Sequence, residues 1–226
     1  VTYSERKKRL EETFKPREEW WSRVFATPVA NAALHVVADW KFLTPNRLTM
    51  ASFVLTIMTA GLIVYGAHIA AAILLQVAYI LDCMDGQLAR YRGVSSEFGS
   101  FLDKWSDFVK FPMIIIALTV ASTEHVHSMS STVTGFLALL FICYQPYLRF
   151  LAKSELSIET SKTLAGNDFF HRNMRFFLFE EAQWYLTVSL CLFVDSPLWA
   201  LRILCLTQGI ICCAETYRVF KSANSS

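Results

Sequence analysis

Charge is missing from this chain where a water-soluble domain would carry it. No Asp, Glu, Lys or Arg occurs from Leu48 to Leu81, nor from His125 to Leu148. Each stretch exceeds the roughly 20 residues that cross a bilayer, which excludes an ordinary soluble fold. A disulfide framework is also missing. The six cysteines (83, 143, 191, 205, 212 and 213) all fall in apolar segments and read as small buried hydrophobes. There is no internal repeat, no low-complexity tract and, in the charged N-terminal residues, no cleavable-signal pattern. The net charge of +2 is too small to call for a nucleic-acid partner.

What is present is apolar: 54% of the 226 residues are hydrophobic and the mean hydropathy is +0.37. The expected fold is an all-α integral membrane protein with six transmembrane helices, near residues 47–66, 69–91, 99–122, 130–151, 179–195 and 197–220. An amphipathic helix precedes them. Glu18 to Trp40 mixes apolar and polar residues, and Trp20 and Trp21 suit the headgroup level of a helix lying in the interface. The domain division is then 1–42 for a cytoplasmic tail and juxtamembrane helix, 43–221 for a six-helix membrane domain and 222–226 for a second tail. The connections Gly66–His68, Ser122–Ser131 and Asp195–Pro197 contain no Lys or Arg. Apart from Arg202, inside the last span, the basic residues fall on the other side. The positive-inside rule therefore predicts that both termini, and the segment around Arg90–Lys110, are cytoplasmic.

One charged stretch interrupts the apolar runs, Asp82 to Asp107, DCMDGQLARYRGVSSEFGSFLDKWSD. Asp82 and Asp85 are spaced i, i+3, and Asp103 and Asp107 i, i+4. Both spacings put the pair on one helix face. Four acids converging at the edge of an apolar environment are costly unless a cation binds them. Oxygen-only ligands suit Mg²⁺ or Mn²⁺. No histidine lies in the stretch and Cys83 sits about 100° round the helix from Asp82, which argues against zinc. Four carboxylates can hold two such cations about 4 Å apart, the arrangement used in phosphoryl transfer. Gly86 and Gly99 clear space for a bulky phosphorylated ligand, and Arg90 suits bidentate phosphate contact. Helix-end acids paired with Arg90, Arg92, Lys104 and Lys110 would explain the charge balance, but not the glycines or the register.

The pattern D-x2-D-G-x2-A-R-x8-G-x3-D-x3-D resembles the signature of the CDP-alcohol phosphotransferases, met here at Asp82, Asp85, Gly86, Ala89, Arg90, Gly99, Asp103 and Asp107. The segment Thr44-Pro45-Asn46, with Thr49 following, is similar to that family's entry to its first span. The stretch ATPVANAAL ahead of LTPN also resembles the phosphatidylinositol-phosphate synthase subgroup, whereas RNMRFFLFEEAQ departs from that subgroup's entry to the fifth span.

The resemblance implies a phospholipid-synthesising transferase. It moves the phosphatidyl (phospho-alcohol) group of a CDP-linked donor, expected to be CDP-diacylglycerol, to the hydroxyl of a polar alcohol or alcohol phosphate, and releases CMP. It implies two divalent cations, Mg²⁺ or Mn²⁺, held by Asp82, Asp85, Asp103 and Asp107. Asp107 is also the expected catalytic base. Asn46, Thr49, Gly86, Arg90, Ser96 and Gly99 are the expected donor-binding residues. Arg149 and Lys153, i and i+4 on the fourth span, are the candidates for receiving an anionic acceptor. The family resemblance further implies a homodimer, and the expected location is a bacterial or archaeal plasma membrane. Two alternatives remain open on sequence: an intramembrane-acid cation transporter, and the same chemistry with a soluble CDP-alcohol donor and a lipid acceptor.

Overall fold

The computed structural model describes residues 6, 9, 10, 13, 19–125, 129–156 and 181–224. These residues are helical, with no strand among them. A π-helical turn, Ser22–Ala26, runs into α1, Thr27–Val37. Six further helices follow: α2 Pro45–Val64, α3 His68–Arg92, α4 Glu97–His125, α5 Met129–Leu156, α6 Glu181–Phe193 and α7 Pro197–Ala223. Five of them, α2 to α5 and α7, are long and apolar enough to cross a membrane. The sixth expected span, 179–195, begins outside the described residues. Its described part, α6, has 13 residues and reaches only about 20 Å at 1.5 Å per residue. Residues 157–180, with Lys162, His171, Arg172 and Arg175 of the polar connection, also lie outside the described residues, as do most of residues 1–18.

α2 buries mostly small residues and exposes large apolar ones, the reverse of a helix in a soluble bundle. In α2, Thr49, Ser52, Thr56, Thr59, Ala60 and Ile63 form the buried stripe, while Met50, Val54, Ile57 and Met58 are exposed. Small residues let backbones approach closely where lipid supplies no hydrophobic drive between helices. The stripe's threonine hydroxyls bond back to their own helix, as Thr56 Oγ1 does to Ser52 O at 2.9 Å, so little polarity is left unpaired. α4 and α5 approach closely at Gly135, where a Cβ would lie 2.1 Å from Thr119 Oγ1.

α3 is the hub. It packs against α2, α6 and α1, while α4 packs on α2, α5 and α7. The main core joins Leu75 and Tyr79 of α3, Ile114 and Leu118 of α4, Tyr185 and Val188 of α6, and Leu201 and Leu204 of α7. The segment before α2 folds onto α3 by a stripe of Ala30, Leu34 and Ala38, against Leu48, Met84 and Leu88. Its large apolar residues Val24, Val29 and Val36 are the exposed ones, so the protein-facing side of this helix is the small-residue side. Arg92 clamps it down, donating to the carbonyls of Ala38, Trp40 and Leu43 at 2.6–3.0 Å. At the opposite end of the bundle, His68 Nδ1 pairs with Asp195 Oδ1 and joins the start of α3 to the turn before α7. Arg202 lies one turn into α7 with its guanidinium over Trp199.

Candidate active site

The site forms where the ends of α2, α3 and α4 meet. Thr44 caps α2, its hydroxyl accepting from Arg47 N at 3.4 Å, and Pro45 occupies the first turn. α3 ends on Gly93 in the left-handed region, φ 64°, which frees the chain to reverse after one turn. Ser96 then caps α4, accepting from Gly99 N at 3.0 Å. This tight return sets the Asp82–Asp85 face of α3 against the Asp103–Asp107 face of α4.

All four signature aspartates line one cavity of about 280 Å³, together with Gly86 and Arg90. Carboxylate oxygens of Asp82, Asp85 and Asp103 lie within 4.8 Å of one another. A second triad within the same limit is made by Asp82, Asp107 and Glu181. The two share Asp82. An all-oxygen set with one shared carboxylate fits a pair of hard dications, so the residues present suit the expected metal.

Two of the carboxylates are held from α2. Thr49 Oγ1 donates to Asp85 Oδ2 at 2.5 Å, and Ser52 Oγ to Asp82 Oδ1 at 3.4 Å. Lys110, one turn beyond Asp107, is 1% exposed and bridges Asp82 Oδ1 at 2.6 Å and Asp107 Oδ1 at 2.8 Å. Of the four cations that could have balanced these acids, Lys110 forms ion pairs with Asp82 and Asp107. Lys104 is exposed, Arg92 holds the juxtamembrane segment, and Arg90 Nε donates to Thr13 O at 2.7 Å.

The expected donor-binding residues divide into two groups. Asn46, Ser96 and Gly99 come together: a Cβ on Gly99 would meet Ser96 Oγ at 3.1 Å and Asn46 Oδ1 at 3.2 Å. Gly86 lies under Arg90, whose Nη1 would be 3.3 Å from a Cβ there. Thr49 is on the ligand side of the site, bonded to Asp85. Arg149 and Lys153 do not line the cavity. Arg149 pairs with Glu215 of α7 through Nε and Nη2, and Lys153 is exposed.

Sequence reasoning missed Glu181, Glu19 and Gln87. Glu19 accepts from the Ala182 backbone N–H and so ties the start of α6 to the juxtamembrane segment, as a capping carboxylate does. Both glutamates line the cavity. Gln87, 1% exposed, lines it too, and its Oε1 has no protein partner among the described residues.

Comparison with known proteins agrees with this geometry. The chain is 30% identical over 138 residues to an archaetidylinositol phosphate synthase of Methanothermobacter thermautotrophicus, covering 61% of this chain and 67% of that one. It is 36% identical over 78 residues to the Pyrococcus horikoshii protein of the same name, covering 34% and 42%. The chain thus spans less than half of the Pyrococcus relative and about two thirds of the Methanothermobacter one. In fold it matches the phosphatidylinositol phosphate synthase PgsA1 of Mycobacterium tuberculosis, solved with CDP-DAG bound, at a TM-score of 0.63 and 18% identity over 87% of this chain and 94% of that one. The model of the CDP-alcohol phosphatidyltransferase family matches residues 42–194. With more than half of its length in that match and the four aspartates, Gly86 and Arg90 of the signature in one cavity, the chain belongs to the CDP-alcohol phosphatidyltransferase family.

Proposed function

We propose that this membrane transferase moves the phosphatidyl group of CDP-diacylglycerol to the hydroxyl of a polar alcohol, with release of CMP and with two divalent cations, Mg²⁺ or Mn²⁺, in the site. The observation that carries the reading is the pair of carboxylate triads sharing Asp82. Charge supports it. The cavity lining gathers six carboxylates, Glu19, Asp82, Asp85, Asp103, Asp107 and Glu181, against Arg90, and Lys110 pairs with Asp82 and Asp107. Carboxylates so outnumber cations in this lining that it suits dications. A related fold, PgsA1, has been solved in complex with manganese.

Asp82, Asp85 and Asp103 would hold one cation, and Asp82, Asp107 and Glu181 the other. When bound, the cations neutralise charge on the donor's pyrophosphate and on the departing phosphate. The chain's own residues do the rest. Arg90, over Gly86, supplies charge-assisted hydrogen bonds to the donor phosphates. Asn46, Ser96 and Gly99 form the nucleotide edge. Asp107 accepts the proton of the acceptor hydroxyl. Thr49 acts through Asp85, by fixing its carboxylate. Arg149, paired with Glu215, and Lys153 remain the candidates for receiving an anionic acceptor. The acid end of the bundle faces the cytoplasm, α1 lies in the interface with Val24, Val29 and Val36 toward lipid, and the enzyme is a homodimer with one site per protomer.

The names of the archaeal relatives make inositol phosphate the first acceptor to try. The test supplies CDP-diacylglycerol, Mn²⁺ or Mg²⁺ and a panel of polar alcohols and their phosphates, with CMP and lipid products read by mass spectrometry. Metal-dependent CMP release coupled to one acceptor is expected. CMP release only from a soluble CDP-alcohol with diacylglycerol would reverse the donor assignment, and cation flux without CMP release would replace it with transport.

A further inference from the structure

The two carboxylate triads differ in one respect that the family signature does not encode. Lys110 lies outside the signature, three residues past its last aspartate. Its ammonium contacts Asp82 at 2.6 Å and Asp107 at 2.8 Å, two of the three carboxylates of the second triad. At the first triad, the contacts to Asp85 and Asp82 from α2 are neutral hydroxyls, Thr49 and Ser52. We infer that the two cation seats are unequal: the Lys110 ammonium lies against two carboxylates of the Asp82–Asp107–Glu181 seat but only the shared Asp82 of the Asp82–Asp85–Asp103 seat, so a dication entering the former must displace it.

This rests on the two-cation reading above and deepens it. A Mg²⁺- or Mn²⁺-sized ion needs its oxygens at about 2.1 Å. An ion there competes for the oxygens that Lys110 already contacts, and the two positive centres repel at close range with little water to screen them. Lys110 is 1% exposed and rooted in α4, so leaving Asp82 and Asp107 means moving its head within the cavity. The ammonium also does something useful while it stays. It keeps Asp82 and Asp107 together when no metal is bound, where bare carboxylates would push apart. Arrival of an anionic CDP donor adds negative charge to the cavity. It therefore favours the exchange of one positive charge for two and gives Lys110 a phosphate to move to. The second cation is predicted to bind together with the donor. Lys110 is thus a positioning residue, and Glu181 belongs to the seat it guards.

The measurement is Mn²⁺ binding to the purified full chain in detergent, followed by the spin-resonance signal of free Mn²⁺, with and without CDP-diacylglycerol. Without donor, wild type should bind one Mn²⁺ tightly and a second at least about tenfold more weakly. Lys110→Met should bring the second affinity toward the first, and Lys110→Arg, which keeps the charge, should leave it weak. Glu181→Gln should weaken the second ion and spare the first. Donor should narrow the gap in wild type and do little in Lys110→Met. Two equal sites in donor-free wild type would overturn the inference without any variant being needed. So would a Lys110→Met titration that superimposes on wild type, while leaving the two-cation reading intact. Absence of Mn²⁺ binding in wild type, with donor or without, would remove both.

Discussion

Asp107 and Arg90 occupy one cavity but should fail in different ways when replaced. Asp107→Asn removes the proposed proton acceptor and one carboxylate of the second triad. Its single-turnover rate at saturating metal should fall about 10²–10⁴-fold, a larger effect than that on CDP-donor affinity. Arg90→Ala removes charge-assisted contacts and should weaken donor binding about tenfold or more, leaving the chemical step less affected. Side-by-side donor titration and single-turnover assays separate the two, and near-normal chemistry in Asp107→Asn at saturating metal would remove it as the base. Thr49→Val tests the layer behind. Losing the hydroxyl that fixes Asp85 should lower Mn²⁺ affinity about 10–100-fold, as loss of an outer-shell partner does; unchanged affinity would return Thr49 to the donor side. The four aspartates were legible in sequence because local helix periodicity places each pair on a face. Lys110 was half legible: Asp103, Asp107 and Lys110 follow i, i+4, i+7, one face, yet a lysine at the edge of an apolar run looks like a boundary marker. Glu19, Glu181 and the Arg149–Glu215 pair were not legible, since each joins segments far apart in the chain that only tertiary packing brings together.

At the scale of the elements, the helices carry their packing information in small residues rather than large ones. The long charge-free runs located α2, α3 and α5 to within a few residues, because the bilayer length is a hard limit. They said nothing of which face packs where, since nearly every residue is apolar. Gly135 is the sharpest case. A methyl group there would meet Thr119 at 2.1 Å from Oγ1 and 2.6 Å from Cγ2, so α4 and α5 must separate or Thr119 must turn. Gly135→Ala should destabilise the bundle by about 1–3 kcal/mol, the usual range for overpacking, and lower the melting temperature in detergent. Thr119→Ala removes the two nearest atoms and should restore part of the loss in the double variant. A Gly135→Ala protein that melts with wild type would mean that α4 and α5 are not this close. The juxtamembrane helix shows the same logic: its large residues pointed to an amphipathic helix, but alanines at 26, 30 and 38 with Leu34 make the contact to the bundle.

Taken whole, the molecule is polar along its length. One end holds the carboxylates, the Arg92 clamp and the juxtamembrane segment. The other holds the His68–Asp195 pair and Arg202 over Trp199. Arg202 looked out of place inside a span, but it is one turn from the start of α7 and exposed, near enough to an interface for its head to reach water. That placement adds one positive charge to the end proposed to be outside, against a much larger number at the acid end, so the charge bias still favours the proposed orientation. It also makes chemical sense, because soluble acceptors and CMP then exchange with the cytoplasm. The six cysteines are all unpaired, so they can be replaced without breaking a disulfide, and single cysteines can then report the sides. Val194→Cys, at a position 70% exposed in the turn before α7, should react with a membrane-impermeant maleimide added to intact cells. Lys104→Cys, exposed beside the acid cluster, should react only after the cells are opened. The reverse pattern would place the carboxylates on the outer face, where soluble CMP and acceptor could not exchange with the cytoplasm, and would overturn the proposed orientation while leaving the chemistry of the cavity unchanged.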